Sequence, residues 1–370
     1  MKNIKTILIS LTLILILINT SCIDNTSGLS SQPGNNSHIL SSSEISSQIS
    51  SESSTIPDIS GRGNQWVSKK LEVGFIGPGS RDLWLTMFTK NIFDTADDWN
   101  IDLEYCDGQG KQDIQIKHIE NLIEKEVDAI GFIPVWESGW DEILRKVKEA
   151  KIPIILVDNS VDCADESLWT SHIVNNFYKE GQLAGEWLRD YLEKEDRLDK
   201  NIDVVQLKEH FTYLAQEERN EGFKDAINSL NNIDIIAKEI ESKNVTVTKE
   251  YFIKLAEYLR NNNIDVLYTI DYFFTYEGLQ KLEQAGMIPG EDILIIDIGG
   301  TNAALEAIVE GKVACSVECN PLMGDLFMEA CVRLANGEEI EREIHPVDRV
   351  FDITNAQAEI DYRKLKGYGY

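Results

Sequence analysis

The chain of 370 residues is long enough for two domains of ordinary size, and an apolar content of 42% supplies cores for both. Its 35 basic side chains stand against 63 acidic ones, a formal charge of -28 at pH 7. A surface of that sign repels phosphate backbones and anionic lipid faces, which excludes nucleic acid as a partner.

Lys2 and Lys5 precede an apolar run over residues 7–18, which is followed by Thr20, Ser21 and Cys22. The run is too short for a settled membrane span, and residues 1–21 read as a secretory signal. The small residue just before Cys22 looks like the bacterial lipidation pattern, in which cleavage leaves a lipidated cysteine as the mature N-terminus. Asn19 stands where Leu is usual in that pattern, and a plainly cleaved signal is the alternative. Residues 22–65 are dominated by Ser, Asn, Gln, Thr and Gly with scattered Ile. Such a mixture buries too little apolar surface to offset chain ordering, so this stretch is a tether for a lipid-anchored body.

From there apolar strand-like runs alternate with amphipathic helical stretches. Strands are predicted over residues 71–76, 101–105, 127–133 and 152–157, with helices over 83–96, 114–123 and 140–147 between them. The alternation resumes with strands over 204–207, 233–237, 264–270, 293–298 and 312–317, and helices over 218–230, 251–259 and 276–285. Helices between buried, β-rich strands give parallel sheets by right-handed crossovers. Two such series imply an α/β fold of two doubly wound parallel-sheet lobes. In open α/β sheets the ligand crevice lies beyond the carboxyl ends of the strands. Those positions carry Gly77, Pro78, Gly79 and Trp84; Asp107 and Gln109; Trp136, Glu137 and Trp140; and Asp158 and Asn159.

The order of these motifs resembles the type I periplasmic sugar-binding proteins of ABC importers, most closely their galactofuranose-binding branch. The resemblance runs over nearly everything from residue 71 to 370. It is carried by Val73, Gly74 and Phe75 with Trp84 following, and by DGQGKQDIQIK (107–117), VDAIGFIPVWESGW (127–140) and IPIILVDNSVD (152–162). RNEGF (219–223), AGMIPGEDIL (285–294) and SVECNP (316–321) continue it in the same order. It implies three chain crossings between lobes, near Val174, Glu318 and Arg349. One lobe would be residues 66–174 with 320–348, and the other 175–319 with 349–370. The two would close on a ligand by a hinge motion, and the closed form would be recognised by a membrane permease.

Residue by residue, the resemblance places Trp84 against the sugar, a role that an aromatic face also suits physically, because it fits the C–H face of a sugar ring. Asp158 and Arg219 match polar ligand positions, and Glu318, Asp107, Gln109 and Trp140 are retained. Leu85 and Asn159 stand where that branch carries sugar-binding arginines. The pair Asn176 and Phe177 replaces Asp-Asn, Asp271 and Tyr272 replace Asn-Asp, and Gly299 replaces Asp. So many changes in one shell imply a ligand other than galactofuranose, less hydroxylated or held more by stacking. Plainer structural roles compete at several positions: core aromatics for Trp84 and Trp140, a turn brace for Asp158 and Gln109, and a solvated helix charge for Arg219.

No enzyme constellation stands out. His38, His118, His172, His210 and His345 are far apart and lack HExxH or triad-like context. Glu217 and Glu218 are adjacent and point about 100° apart on a helix, so they cannot work as an acid/base pair. DIGGTN (297–302) is similar to the phosphate-binding motif of sugar kinases, but it ends a late strand and enters a helix instead of opening a domain and a hairpin. Once Cys22 is set aside, Cys106, Cys163, Cys315, Cys319 and Cys331 are odd in number and without CxxC spacing, so they fit small buried residues rather than disulfides. No cofactor and no required metal ion is expected. The expected protein is a monomer outside the cytoplasm, in the periplasm or anchored to the cell membrane by lipid alone, that binds a sugar-like ligand and serves an ABC permease. The alternative is a receptor that presents its closed form to a membrane histidine kinase or chemoreceptor.

Overall fold

Short runs of β-branched and aromatic residues assemble into two six-stranded sheets in a computed structural model that describes residues 70–79, 82–208, 213–230, 232–239, 249–270 and 274–369. The signal and tether of residues 1–65, with Cys22, lie outside the described residues. So do Asp271, Tyr272 and His210.

The first half alternates β1 (Glu72–Gly77), α1 (Leu83–Asp98), β2 (Asp102–Asp107), α2 (Gln112–Glu124), β3 (Ala129–Phe132), α3 (Asp141–Ala150), β4 (Ile154–Val157) and β5 (Ser171–Ile173). The second half continues with α4 (Phe177–Lys194), β6 (Ile202–Lys208), α5 (Tyr213–Ile227), β7 (Ile233–Glu239), α6 (Lys249–Asn261), β8 (Val266–Thr269), α7 (Leu279–Gln284), β9 (Leu294–Gly299), α8 (Asn302–Val309) and β10 (Cys315–Glu318). Then come α9 (Gly324–Ala335), β11 (Glu343–Ile344), β12 (Val350–Asp352) and α10 (Ala356–Lys366). The first sheet has the order β11-β5-β4-β3-β1-β2, parallel throughout, and the second β12-β10-β9-β8-β6-β7, parallel except for β12 against β10. This is the doubly wound α/β architecture expected from the alternating pattern.

Every residue of β3, β4, β8 and β10 is buried, which is how a parallel strand covered by helices on both faces reads in sequence. On one side of the first sheet Phe75 packs with Phe88 and Ile92 of α1 and Phe327 of α9; on the other, Ile76 and Phe132 pack with Ile119, Leu122, Leu144 and Val147. The second sheet is likewise covered, by Leu255, Leu259 and Ile308 on one face and Ala184, Leu188 and Phe223 on the other. The chain passes from the first sheet to the second after β5, returns after β10 to make α9 and β11, and leaves again for β12.

Some boundaries differ from the sequence expectation. The helix predicted over 276–285 opens with a π-turn at Phe274–Gly278 before α7, and the last predicted strand starts three residues late, after Gly311 turns the chain at φ 77°. The DIGGTN stretch is structural. Asp297 accepts hydrogen bonds from Thr269 Oγ1 (3.0 Å) and Ser316 Oγ (2.8 Å), and Thr301 caps α8 by accepting from the Ala304 N–H. Its buried carboxylate therefore braces β8, β9 and β10 against one another.

Candidate functional site

The residues that follow the carboxyl ends of the strands gather where the chain passes between the sheets. Asn176 caps α4 by accepting from the Lys179 N–H at 2.9 Å, which fixes the start of the helix just after the first crossing. One face of α4 carries Glu180, Gly181, Ala184 and Gly185, all buried. The glycines let α5 approach until a Cβ on Gly181 would lie 1.9 Å from the Arg219 carbonyl oxygen. That closeness brings Arg219 over Glu180 and Phe177. Its Nε donates to Glu180 Oε2 at 2.7 Å, and its guanidinium lies 4.9 Å from the centroid of the Phe177 ring. Arg219 is 8% exposed, so it is a buried charge and not the solvated helix charge that its acidic neighbours Glu217, Glu218 and Glu221 suggest. Burial opposes its charge, but Glu180 holds its pKa above the ordinary value. Burial raises the Glu180 pKa, and Arg219 opposes that rise.

From the other side, Asp82 caps α1 by accepting from the Leu85 N–H. Trp84, half-buried, lays its ring against Phe88 with centroids 5.8 Å apart and donates from Nε1 to the Cys319 carbonyl at 3.0 Å. Trp84 therefore joins α1 to the second crossing. Asp158 follows β4 at φ 59°, a left-handed conformation that Asp tolerates better than most residues. Burial, with a smaller contribution from Asp82, pushes its carboxyl up to about 6.

Between these groups lies a set of hydrogen-bond acceptors without donors. Glu180 Oε1, Asn175 Oδ1 and Asp348 Oδ1 are buried and have no partner. Asn175 Nδ2 donates to Cys319 Sγ at 2.8 Å, and the Cys319 thiol, only a weak donor, sits beside the Glu180 carboxylate. Burial, and then Glu180 and Glu318, push the Asp348 carboxyl upward. A buried acceptor without a donor costs about 1–3 kcal/mol. The three therefore define a place that favours an occupant rich in O–H or N–H groups. Among the described residues no group of three or more His, Cys, Asp or Glu side chains is arranged to hold a metal ion.

The periplasmic binding protein domain family matches residues 73–339. The chain belongs to that family. Among its periplasmic binding protein relatives, the galactofuranose-binding protein of Escherichia coli (strain K12) is 31% identical over 303 residues, covering 80% of this chain and 93% of the relative. The fructose import binding protein of Bifidobacterium longum (strain NCC 2705) is 26% identical, covering 80% and 88%. A Mycobacterium smegmatis protein crystallised with β-D-fucofuranose is 30% identical, with a TM-score of 0.63 and coverage of 80% and 96%. The binding protein of the arabinose ABC transporter from Shewanella sp. ANA-3, solved with α- and β-L-arabinofuranose, is 29% identical, with a TM-score of 0.64 and the same coverage. The fructose and arabinose relatives are named as binding components of transport systems, and this chain is a binding protein and not an enzyme. The family resemblance read from the sequence thus holds.

Of the ligand residues expected in this periplasmic binding protein, the structure brings Trp84, Asp158, Asn176, Phe177 and Arg219 to the junction of the sheets. Four others make different contacts. Trp140 is fully buried, packs on Phe132 with centroids 5.1 Å apart and gives its indole N–H to the Trp136 carbonyl, so it is a core residue with no surface to offer a ligand. Glu318 is also fully buried, and its carboxylate is held by Arg349 Nε and Nη2 at 2.8 Å each and by Arg363 at 3.1 Å. Asp107 turns its carboxylate to the Gln109 N–H at 2.8 Å and braces the turn after β2, with Gln109 at φ 53°. Asn159 is exposed and donates to the Pro134 carbonyl at 3.0 Å. Asn175, Cys319 and Asp348 also stand here, and nothing in their local sequence marks them for the site. Glu180 alone left a trace in the sequence, a single carboxylate on a helix face otherwise made of Gly and Ala.

Proposed function

We propose that this periplasmic binding protein captures a small, neutral, sugar-like ligand and delivers it to the permease of an ABC importer. The observation that carries the reading is the set of unpartnered acceptors, Asn175 Oδ1, Glu180 Oε1 and Asp348 Oδ1, beside the aromatic groups Trp84 and Phe177. Hydroxyl donors on one edge and an apolar C–H face on the other are what a sugar ring presents, and the relatives named above bind furanoses or import fructose. In this reading residues 66–174 with 320–348 and residues 175–319 with 349–370 are two lobes that close on the ligand. Cys22 carries a lipid, residues 22–65 are the tether, and the protein works as a monomer outside the cytoplasm.

The ligand differs from galactofuranose. Asn176, in place of a ligand-binding Asp, is committed to capping α4, and Phe177 lies against the guanidinium of Arg219, which would otherwise meet the sugar. A thermal-shift screen of the chain without residues 1–21, against pentoses, hexoses, polyols and nucleosides, tests the reading. A ligand at a hundredfold excess over its dissociation constant adds about 2.7 kcal/mol of stability to a protein that binds it only when folded. The expected hit is lost in Trp84→Ala and Arg219→Ala. No shift with any sugar would overturn the proposal, and binding galactofuranose as tightly as the Escherichia coli relative does would overturn the claim of a different ligand.

A further inference from the structure

The loop after β3 holds an exposed aromatic platform that the site described so far does not use. Trp136 is 63% exposed, although the backbone around it is fixed on several sides. From below, Gln115 donates to the Ile133 carbonyl at 2.7 Å and accepts from the Val135 N–H at 3.1 Å, and Trp140 donates to the Trp136 carbonyl at 2.5 Å. From the sides, Gln112 donates to the Ser138 carbonyl at 2.8 Å, Asn159 to the Pro134 carbonyl at 3.0 Å, and the Asp162 N–H to the Glu137 carbonyl at 2.6 Å. A large apolar ring presented to solvent on a loop held this firmly is preorganised, so an occupant would lose little free energy to loop ordering.

The ring borders a concave groove of about 580 Å³ whose other walls include Gln112, Glu137, Asn159 and Asp162. That volume falls within the range of small-molecule sites, roughly 300–1,000 Å³. Its chemistry is an aromatic face edged by two carboxylates and two amides, which suits a ring with hydroxyls around its rim. It does not suit an anionic group, because Glu137 and Asp162 repel one. The groove is one residue along the chain from the ligand site. Asn159 lines it, and the preceding residue, Asp158, shares the electrostatic environment of Asp82 and Cys319 at the junction of the sheets.

We infer that the Trp136 groove is a second sugar subsite, so that the preferred ligand is a neutral disaccharide or glycoside whose first ring occupies the cleft and whose second ring stacks on Trp136. The inference rests on the sugar-binding reading above and adds the length of the ligand to it.

Calorimetric titration with matched pairs tests it: D-fructose against inulobiose and sucrose, D-galactose against galactobiose, and L-arabinose against arabinobiose. At least one disaccharide is expected to bind about tenfold or more tighter than its parent monosaccharide, the equivalent of one good aromatic contact. Trp136→Ala is expected to remove that advantage while leaving monosaccharide affinity unchanged, and Trp136→Phe to keep most of it. If sugars bind but no disaccharide of the panel binds tighter than its parent monosaccharide, the subsite is overturned and the sugar-binding reading stays intact. A Trp136→Ala variant that weakens both equally has the same consequence. If no sugar of either length binds, the sugar-binding reading falls and the subsite with it.

Discussion

Asp158 combines a left-handed backbone with a carboxyl that burial and Asp82 push up to about 6. An unfolded chain ionises this residue near pH 4, at about 3.9. Between the two values the unfolded state has lost a proton that the folded state still holds, so stability falls as the pH rises through the window and levels off above it. Asn is neutral, nearly isosteric and equally tolerant of the left-handed region. The melting temperature of Asp158→Asn relative to wild type is therefore expected to climb from pH 4 to about pH 6 and then stay flat. A difference independent of pH would mean that the carboxyl is solvated and ordinary. This residue was legible in the sequence because it follows a strand at the crevice end. Trp140 also follows a strand at the crevice end, yet its ring turns inward onto Phe132. Strand ends mark which loops face a crevice, but whether an aromatic in such a loop packs on a core ring such as Phe132 depends on the path of the loop. Glu318 misled for a related reason, since its partners Arg349 and Arg363 come from the far end of the chain.

The packing of α4 on α5 sets the position of Arg219. A Cβ on Gly181 would lie 1.9 Å from the Arg219 carbonyl oxygen, and one on Gly222 would lie 1.9 Å from the Tyr178 carbonyl oxygen. These are backbone atoms that cannot swing aside, so a methyl group at either place forces the helices apart. Overpacking of this kind costs about 1–3 kcal/mol. Gly181→Ala is therefore expected to lose that much in urea unfolding, offset slightly by the better helix propensity of Ala. It is also expected to weaken ligand binding by more than a remote substitution of equal stability cost, because it displaces Arg219 from Phe177 and Glu180. Equal stability with unchanged binding would show that the helices are not in such close contact. The same packing explains why α4 was absent from the elements predicted by periodicity. Gly within a helix costs about 1 kcal/mol relative to Ala, which weakens the local helical signal at Gly181 and Gly185, and only the facing helix α5 makes them favourable. The alternating strands of both sheets were legible because a parallel strand buried on both faces needs an apolar run, whatever its partners are.

At the scale of the whole described body, three segments pass side by side between the sheets and are bonded to one another. The Val174 N–H donates to the Ile344 carbonyl at 3.0 Å, the Glu318 N–H to the Arg349 carbonyl at 2.8 Å, and Asn320 Nδ2 to the Val347 carbonyl at 3.2 Å. Glu318, Arg349, Glu359 and Arg363 close a ring of ion pairs that ties the second and third crossings to α10. Beyond α10 the chain makes a further link. Gly367, at φ 69°, turns the tail toward α1, where the Gly369 N–H meets Met87 Sδ at 3.1 Å and Lys90 Nζ lies 5.2 Å from the centroid of the Tyr368 ring. Asn302 Nδ2, from α8 beside the second sheet, reaches the Tyr368 carbonyl at 3.4 Å. Tyr368 thus touches helices that belong to different sheets, and any opening that moves α1 away from α8 must break one of these contacts. The tail contacts therefore favour the present arrangement of α1 and α8 over one in which they separate. A partly buried cation–π contact is worth about 0.5–1 kcal/mol or somewhat more, so, with the present arrangement as the closed one of the proposed function, Tyr368→Ala is expected to lower ligand affinity about two- to fivefold. Small-angle scattering of the ligand-free variant should then give a larger radius of gyration than wild type, and saturating ligand should restore the wild-type value. If affinity and radius both match wild type while only the melting temperature falls, the tail is a passive clamp on α1 and closure is governed by the three crossings alone.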